Sequence, residues 1–441
     1  MIEYKLVGDG RTDNTESLQA LLDLKGELVL LKGEYLTGPL TVHSDTSIRF
    51  EEGAVLKFIP DFSLYKPVYT RWEGVKCWCM HPCLFISGAS NVSVTGPGTV
   101  DGSGEVWWKS ANERRNSSDG PQTEIEKRFA SLNPGFEDQP GGGGGRQVQF
   151  LRPPLIQIHE SSNVTLDGLT IKNSPFWTVH PVFSDNVRLS NLVIENPADA
   201  PNTDGIDIES CTHVSVDSCY VHVGDDGIAL KSGSGASGIQ DGAPTSHVRI
   251  TNCTVRAAHG GAVIGSETAA GIDNIEVSDC TFDGTDRGIR IKTRRGRGGC
   301  LHDLVFRNLT MRGNLCPLVV NMFYRCGCSD MSCFSLDPQP VSAETPSLYG
   351  LTIEDCTGLD SRSSAAMIVG LPESRLKDVK IRNCFFSVAK DGLRPVRESD
   401  MFLGLPDIEE RGMRIRFVDG LELENVHVEG AARDVILEDE E

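Results

Sequence analysis

The sequence predicts an all-β protein built as a single-stranded parallel β-helix, with one short helix at its N-terminal end. Three observations support this fold class. A unit of two short alternating apolar runs, joined by Asn, Asp or Gly, recurs along most of the chain. The runs have the two-residue period of strands, and the segments between them lack the period of helices. The units also recur at roughly regular intervals, which is the mark of a repeat architecture.

The intervals between units fit one β-helix coil each. Successive starts are separated by 23, 27, 34, 27, 29, 47, 28 and 42 residues, and stacked strands lie about 4.8 Å apart. Asn or Asp at the turns takes the left-handed conformation, and a Cys just past the turn fills the interior. A β-propeller is the alternative, but its blades need about 40 residues and four strands each. The units begin at Asn163, Asn186, His213, His247, Asn274, Asp303, Gly350, Asp378 and Gly420.

The segments outside the repeats complete the predicted organisation. Residues 8–15 lead into 16–23, where apolar residues at helical spacing predict a short capped helix that closes the N-terminal end. We expect this cap over about 1–30 and one domain over 1–441, a solenoid of about ten coils. The polar segment 109–150 includes five consecutive glycines, Gly141 to Gly145, which predicts a long loop, and 321–346 is a second loop insertion.

Composition narrows the partners and the location. The chain has 42 Lys+Arg and 62 Asp+Glu, a net charge of −20, which disfavours nucleic acid and anionic membranes. The first residues resemble no secretory signal, so a cytoplasmic location is expected, or secretion if a leader was removed. Reduced packing thiols then account for the 14 cysteines better than disulfides or metal ligands do. The spacings at Cys77-x-Cys79 and Cys326-x-Cys328 are unlike those of common zinc sites.

Carboxylates point to the chemistry. Asp204, Asp225 and Asp226 precede or begin strands whose shared glycines align, at Gly205 and Gly227, so the three are expected on one face of adjacent coils. Like charges that close raise at least one pKa, which places a protonated acid beside ionised bases. That combination cleaves glycosidic bonds. Each segment alone is more typical of a turn, but stacking in register with His259 and with Arg290-x-Lys292 favours a site.

A basic cluster points to an anionic substrate. Six cations lie within eleven residues of this acidic chain, at Arg287, Arg290, Lys292, Arg294, Arg295 and Arg297. A solvated cationic face is one interpretation. Because Arg290 and Lys292 share one strand face and continue the carboxylate column, we favour recognition of a substrate that carries carboxylates. A uronic-acid polymer or oligomer fits both clusters.

The order of these motifs resembles the polygalacturonases, family 28 of the glycoside hydrolases. Four motifs occur in the same order, namely Asn202-Thr-Asp204, Asp225-Asp226, His259-Gly260 and Arg290-Ile-Lys292. Ala258 stands where many members have Gly. The resemblance implies a right-handed, pectin-lyase-like β-helix that hydrolyses α-1,4-galacturonosyl linkages with inversion and without metal or other cofactor. The acid and base carboxyls are then expected about 6.5–9.5 Å apart.

The resemblance also implies a role for each site residue. Asp225 is expected to be the general acid, while Asp204 and Asp226 hold and deprotonate the attacking water. Arg290 and Lys292 are expected to clamp a galacturonate carboxylate, and Asn202 to bind or orient near them. His259 is expected to support the acid or hydrogen-bond the sugar. Further residues expected to line the substrate site are Arg71, Arg152, Trp177, His180, Glu267 and Tyr324.

Several alternatives remain open at this stage. Segments around Thr70 to Val75 and Asn173 to Pro181 resemble the exo-acting branch, and the two insertions are long enough to close one end of a binding site, which favours exo action with release of galacturonic acid. Endo action is the alternative within the same family. A pectate-lyase-type enzyme of the same fold and a non-catalytic carbohydrate-binding solenoid are the others. The sequence leaves the oligomeric state undetermined.

Overall fold

The computed structural model describes residues 5–114, 119–140, 143–399 and 401–438. These form two compact units, Met1–Asp225 and Asp226–Glu441. The expected single domain over 1–441 stays a prediction. No helix in the described ranges is long and apolar enough to cross a membrane.

The first unit consists of three parallel ladders, in which each strand pairs with the equivalent strand one coil further along. One ladder contains Gly26–Leu30, Thr46–Phe50, Ser90–Thr95, Ser162–Asp167, Asp185–Ser190 and Thr212–Asp217. The next contains Asp9–Asp13, Gly33–Thr37, Ala54–Phe58, Thr99–Asp101, Thr170–Lys172, Val193–Glu195 and Tyr220–His222. The third contains Leu40–Val42, Leu84–Ser87, Ile156–His159, Val179–Val182 and Ile206–Glu209. An antiparallel hairpin pairs Pro67–Trp72 with Val75–Met80.

The second unit repeats this plan. One ladder contains Thr245–Thr251, Ile272–Ser278, Cys300–Arg307, Ser347–Glu354, Leu376–Val388 and Val418–Glu429. The next contains Thr254–Arg256, Thr281–Asp283, Thr310–Arg312 and Thr357–Ser361, which pairs with Leu376–Val388. The third contains Asp226–Lys231, Gly260–Gly265, Arg287–Lys292, Cys316–Asn321, Ala366–Val369, Met413–Arg416 and Val435–Leu437.

The register confirms the predicted repeats. Val164 pairs with Val187 and Val187 with Val214, which reproduces the intervals of 23 and 27 residues. Turn residues also behave as expected, since Asn163 and Asn186 have φ of 56° and 52°. The Asn186 side-chain amide donates to Asn163 Oδ1 at 2.7 Å, so the turn residues also stabilise the stack between coils.

The interior confirms the structural role of most cysteines. Cys219, Cys253, Cys280, Cys356 and Cys384 follow the turns, and all five are buried free thiols. Burial also raises the pKa of Cys77 and Cys79. These two thiols stay protonated and are poor metal ligands in that form.

The aligned glycines have a steric cause. A Cβ on Gly227 would lie 2.5 Å from Val255 Cγ1, and one on Gly261 would lie 2.3 Å from the ring of Phe282. On Gly288 it would lie 2.3 Å from Met311 Sδ. Each glycine therefore admits a large core side chain close to the strand that carries the charged residues.

The N-terminal helix is confirmed, but it lacks the expected side-chain cap. It spans Thr15–Asp23 and buries Leu18 and Leu22. Asn14 at the N-cap makes no capping hydrogen bond with its side chain. Its Oδ1 instead accepts from the Val7 N–H at 2.8 Å, so the side chain fastens the preceding segment.

The prediction of a long loop over 109–150 is wrong in part. The end of the helix Glu105–Arg114 and the whole helix Glu124–Leu132 lie within it. Thr123 and Glu126 form a capping box, a short-range signal that was present in the sequence. Residues 115–118 and Gly141 and Gly142 lie outside the described ranges. The 321–346 insertion contains a short 3-10 helix, Met331–Phe334. The remaining helices are Gly235–Asp241 and the 3-10 turns Phe62–Leu64, Phe136–Asp138, Arg146–Val148 and Val396–Glu398.

Candidate active site

Two aspartates of the first unit lie side by side. Asp204, which is 3% exposed, comes two residues before the strand Ile206–Glu209. Asp225 is half-buried and is the last residue of this unit. One carboxylate oxygen of Asp204 lies within 4.8 Å of one of Asp225. Repulsion between carboxylates this close favours a proton on one of them.

A glycine contact brings these two aspartates together. The Gly224 N–H donates to Thr203 Oγ1 at 3.2 Å. A Cβ on Gly224 would lie only 2.3 Å from the Ala200 carbonyl oxygen. Only glycine therefore permits this approach, and it holds the neighbours of Thr203 and Gly224, Asp204 and Asp225, within reach of each other.

Arg152 positions Asn202. Its guanidinium is fully buried and donates to Asn202 Oδ1 at 2.8 Å. It also donates to the carbonyl oxygens of Pro175 and Pro201, at 3.0 and 2.9 Å. Asn202 has φ of 55°, a left-handed conformation that Asn tolerates well. As placed, Arg152 supports the Asn202 segment from within the protein.

In the second unit, Asp226 is clamped by two cations. Its Oδ1 accepts from Arg290 Nη1 at 3.0 Å, and its Oδ2 accepts from Lys292 Nζ at 2.6 Å. Asp226 begins its strand and pairs with Gly260. Arg290 and Lys292 pair with Val263 and Gly265, further along the strands, so their long side chains reach back to the Asp226 carboxylate. All three are at most 5% exposed.

These cations control the protonation of Asp226. Burial by itself works to raise the pKa of the Asp226 carboxyl, but Lys292, Arg290 and Lys231 together hold this pKa well below its usual range. Asp226 is therefore ionised at neutral pH. The sequence predicts one protonated carboxyl group beside ionised ones. Because Asp226 is ionised, it is not the proton donor.

A second ion pair network surrounds Glu267. Its Oε2 lies 3.1 Å from Lys231 Nζ, and its Oε1 lies 3.3 Å from Arg297 Nη1. Although burial opposes ionisation, Lys231, Arg297 and Lys292 lower the pKa of Glu267 to about 2. Glu267 is therefore a support for Lys231 and Arg297 as well as a candidate substrate contact.

The lowered pKa of Glu267 predicts an acid-dependent loss of stability. A folded-state pKa below the unfolded value stabilises the protein above the unfolded pKa of about 4.3. This stability is lost as the pH falls through about 2. We expect the free energy of unfolding, measured by urea titration between pH 6 and 2.5, to fall toward the acid end. Glu267→Gln is expected to be less stable at pH 6 and to lose less on acidification. An identical pH slope for both proteins would contradict this role.

The basic cluster serves two purposes. Arg290 and Lys292 face Asp226, but the others are held by structural partners. Arg295 forms a bidentate pair with Glu373, at 2.6 and 2.7 Å. Arg287 donates to the Ser399 and Glu398 carbonyls, and Arg294 donates to those of Arg295 and Gly327. Six neighbouring cations therefore do not form one anion-binding surface.

Arg71 and His180 are buried in a polar network of the first unit. Both are 0% exposed. Arg71 Nη1 lies 3.3 Å from Glu209 Oε1, and His180 Nε2 lies 3.0 Å from Glu209 Oε2. Trp177 packs edge-on against His180, with ring centroids 4.9 Å apart. Arg71 and His180 thus have no accessible surface for a substrate, which corrects their expected role as lining residues.

His259 and Tyr324 both lie close to the residues of the Asp226 cluster, one just before a strand and the other three residues after one. His259 is exposed and directly precedes Gly260, the partner of Asp226. The ring of Tyr324 lies 5.6 Å from the Arg290 guanidinium and 5.3 Å from Lys292 Nζ. The aromatic face thereby stabilises both cations.

Two charged residues of these networks, Lys231 and Glu209, were not singled out from the sequence. Each lies four positions after an aligned glycine, Gly227 for Lys231 and Gly205 for Glu209. Lys292 has the same relation to Gly288. A strict comparison of this position from coil to coil would have found both residues.

The carboxylates of this site can be tested as possible ligands of a metal cation. Asp204 and Asp225 present carboxylate oxygens of the type that Ca²⁺ takes, but an acidic pair alone does not define a metal site. Both oxygens of Asp226 already accept from cations. A calcium ion bound there would face Arg290 and Lys292, which is electrostatically unfavourable.

Stacked parallel coils that carry the close carboxylate pair Asp204 and Asp225 provide the groups that a β-helix glycosidase uses. Residues 143–388 match the family described as Glycosyl hydrolases family 28. The chain belongs to this family.

Related proteins agree with this assignment. The chain is 29% identical to a probable polygalacturonase of Vitis vinifera over 404 residues, 88% of this chain and 74% of that protein. It is 28% identical to an endo-polygalacturonase of Pectobacterium carotovorum, over 66% of this chain and 65% of that one. It superimposes on a hyperthermoactive exopolygalacturonase of Thermotoga maritima with a TM-score of 0.73 and 29% identity, over 87% of this chain and 86% of that one. The fold class is a right-handed parallel β-helix, as predicted.

Proposed function

We propose that this protein hydrolyses α-1,4-galacturonosyl linkages of polygalacturonate and its oligomers. The observation that carries the proposal is the close pair Asp204 and Asp225, followed in the chain by the ionised Asp226. Membership of family 28 and similarity to the polygalacturonases named above support this substrate class.

Each carboxylate has a distinct task in the proposed reaction. Asp225 is the general acid, because it is the more exposed of the close pair and can reach the glycosidic oxygen, while repulsion within the pair favours a proton on one of its members. Protonation of the glycosidic oxygen by Asp225 lets the leaving sugar depart as an alcohol. Asp204 and Asp226 orient and deprotonate the attacking water. Lys292 and Arg290 keep Asp226 ionised for this task.

The same two cations support recognition of a uronic acid. A guanidinium presents a planar fork that matches a carboxylate, and an ammonium adds a point charge beside it. Arg290 Nη1 and Lys292 Nζ each donate to Asp226, and a guanidinium or an ammonium carries several N–H donors. We therefore propose that a galacturonate carboxylate joins Asp226 at these donors, while His259 and Asn202 contact the sugar.

The nearest oxygens of the acid and its neighbour are close. Oxygens of Asp204 and Asp225 lie within 4.8 Å of each other, and the approach at Gly224 brings them together. About 6.5–9.5 Å between whole carboxyl groups is typical of inverting enzymes and about 5–5.5 Å of retaining ones, and a nearest-oxygen distance of this size is compatible with both. We propose inversion, with water as the attacking group, and retention would instead assign Asp204 as a nucleophile.

We propose exo action with galacturonic acid as the product. The overall similarity to an exopolygalacturonase and the helical insertion around Glu105–Arg114 support this choice. Endo action is the second candidate, because the similarity to an endo-polygalacturonase is comparable in identity.

One time course tests substrate, mode and stereochemistry together. Purified protein is incubated with galacturonate trimer and with polymer, and products are followed by chromatography and proton NMR. We expect monomer from both substrates, with the β anomer first. Early internal fragments would indicate endo action, and an α anomer first would indicate retention. Unsaturated, ultraviolet-absorbing products would show a lyase, and binding without turnover would show a carbohydrate-binding solenoid.

A further inference from the structure

A cavity of about 540 Å³ opens in the second unit, one residue from Tyr324. Arg325, Arg397, Phe402 and Asp407 are among its lining residues. This volume lies in the range of about 300–1,000 Å³ that is typical of small-ligand sites. None of the motifs that define the proposed catalytic residues includes a residue of this cavity.

The cavity is tied to the cation clamp through the backbone. Tyr324 forms an antiparallel bridge with Phe402. The Arg325 N–H donates to the Met401 carbonyl at 2.9 Å, and the Leu403 N–H donates to the Phe323 carbonyl at 3.3 Å. The ring of Tyr324 contacts Arg290 and Lys292. The cavity therefore begins where the proposed carboxylate clamp ends.

Two arginines give the cavity its charge. Arg325 and Arg397 are both exposed, and neither makes a side-chain hydrogen bond or ion pair with any residue in the described ranges. The carboxylate of Glu398, which also lines the cavity, is already paired with Arg394 at 2.6 Å. Asp407 is the remaining acidic residue in the lining. Two uncommitted guanidiniums against one carboxylate favour an anionic ligand.

The other lining groups fit a sugar acid better than a simple anion. A half-buried Phe402 offers apolar surface, and its ring is fixed by the Arg414 guanidinium, 5.6 Å from the centroid. Asp407 is an exposed acceptor that matches sugar hydroxyl donors. A uronate residue presents a carboxylate, hydroxyl groups and an apolar ring face at once, which phosphate or sulfate does not.

We propose that this cavity is an additional uronate subsite, which binds the galacturonate unit that follows the one held at Arg290 and Lys292. Arg325 and Arg397 bind its carboxylate, Asp407 accepts from its hydroxyls, and Phe402 packs against its ring. This inference rests on the proposed function. It adds that oligomers of three or more units bind more tightly than the dimer, which is too short to reach the cavity while spanning the cleaved bond.

The test compares chain lengths in the double variant Arg325→Ala/Arg397→Ala. We measure kcat and KM for galacturonate dimer, trimer and tetramer, together with calorimetric binding of each oligomer. Loss of charge-assisted hydrogen bonds predicts that KM for trimer and tetramer rises about tenfold or more. KM for the dimer and kcat for all substrates are expected to change less than about twofold. Arg325→Lys/Arg397→Lys keeps the positive charges but loses the planar guanidinium groups. Its KM for trimer and tetramer is expected to lie between those of the unmodified protein and the double alanine variant.

A matched control separates local binding from general charge. Arg312 is exposed, lies in the same unit on the Thr310–Arg312 strand, and makes no side-chain ion pair in the ranges described. Arg312→Ala is expected to leave every KM unchanged. An equal rise for dimer and trimer, no rise at all, or the same rise in Arg312→Ala would overturn the subsite. Absence of any galacturonate hydrolysis by the unmodified protein would refute the proposed function instead.

Discussion

Asp225→Asn is expected to lower kcat on galacturonate trimer about a thousandfold, since a positioned general acid contributes about 10²–10⁴ in rate. The amide is nearly isosteric with the carboxyl group but has no acidic proton to deliver to the leaving oxygen. KM and calorimetric binding of trimer are expected to stay within a few-fold of the unmodified protein. Initial rates from reducing-sugar release measure the effect.

Two controls show whether the loss of activity in Asp225→Asn comes from unfolding or from the loss of any aspartate charge. Asp225 is half-buried, so its replacement is expected to leave the thermal unfolding temperature nearly unchanged. Asp360→Asn is the matched control, because Asp360 is an exposed aspartate with φ of 54° in the strand Thr357–Ser361, a conformation that Asn also adopts. This control is expected to be fully active. Full activity of Asp225→Asn would remove Asp225 as the proton donor.

Lys292→Met is expected to have the largest effect on stability. The substitution removes one of the two cations bound by Asp226, which is 1% exposed. Breaking a buried ion pair from one side costs about 3–5 kcal/mol of unfolding free energy, because the remaining charge stays buried. The pKa of Asp226 is expected to rise. If Lys292 also binds a substrate carboxylate, kcat/KM of Lys292→Met is expected to fall by about 10- to 100-fold.

Two comparisons isolate this buried cluster. Arg256→Ala breaks an exposed ion pair with Asp283, whose side chains are 52% and 37% exposed, and such pairs contribute about 0–1 kcal/mol. Asp226→Asn combined with Lys292→Met is expected to be less destabilised than the sum of the single variants, because the partner charge is then absent. Denaturant titration measures the two single variants of this cluster, the double variant, Arg256→Ala and the unmodified protein. A loss in Lys292→Met no larger than in Arg256→Ala would refute the special role of burial.

Local sequence patterns predicted much of the fold. The intervals between coils, the left-handed turn at Asn186 and the burial of Cys253 follow from alternation and turn chemistry, which act over a few residues. The segment 109–150 was misjudged, because its helices carry few core residues. Only Trp107 and Ala111 of Glu105–Arg114 are buried apolar residues, so the helical period is weak there.

The site was predicted less completely. Asp204, Asp225, Asp226, Arg290 and Lys292 were identified by their positions near aligned glycines. Side-chain hydrogen bonds, rather than strand register, join Arg290 and Lys292 to Asp226. Arg71 and His180 were misassigned as lining residues, because a sequence does not reveal that both are held by Glu209 in the interior.

The sequence by itself determined the β-helix period and the Arg-x-Lys pair, because both depend on strand alternation and on turn residues. Only the tertiary structure decided which side chains are charged and which are already paired with another residue. Asp226 meets Arg290 64 residues away and Lys292 66 residues away, and burial with these partners keeps it ionised. Arg295 is used by Glu373, 78 residues away. Protonation and pairing depend on distances and solvent exclusion across several coils, which no local pattern specifies.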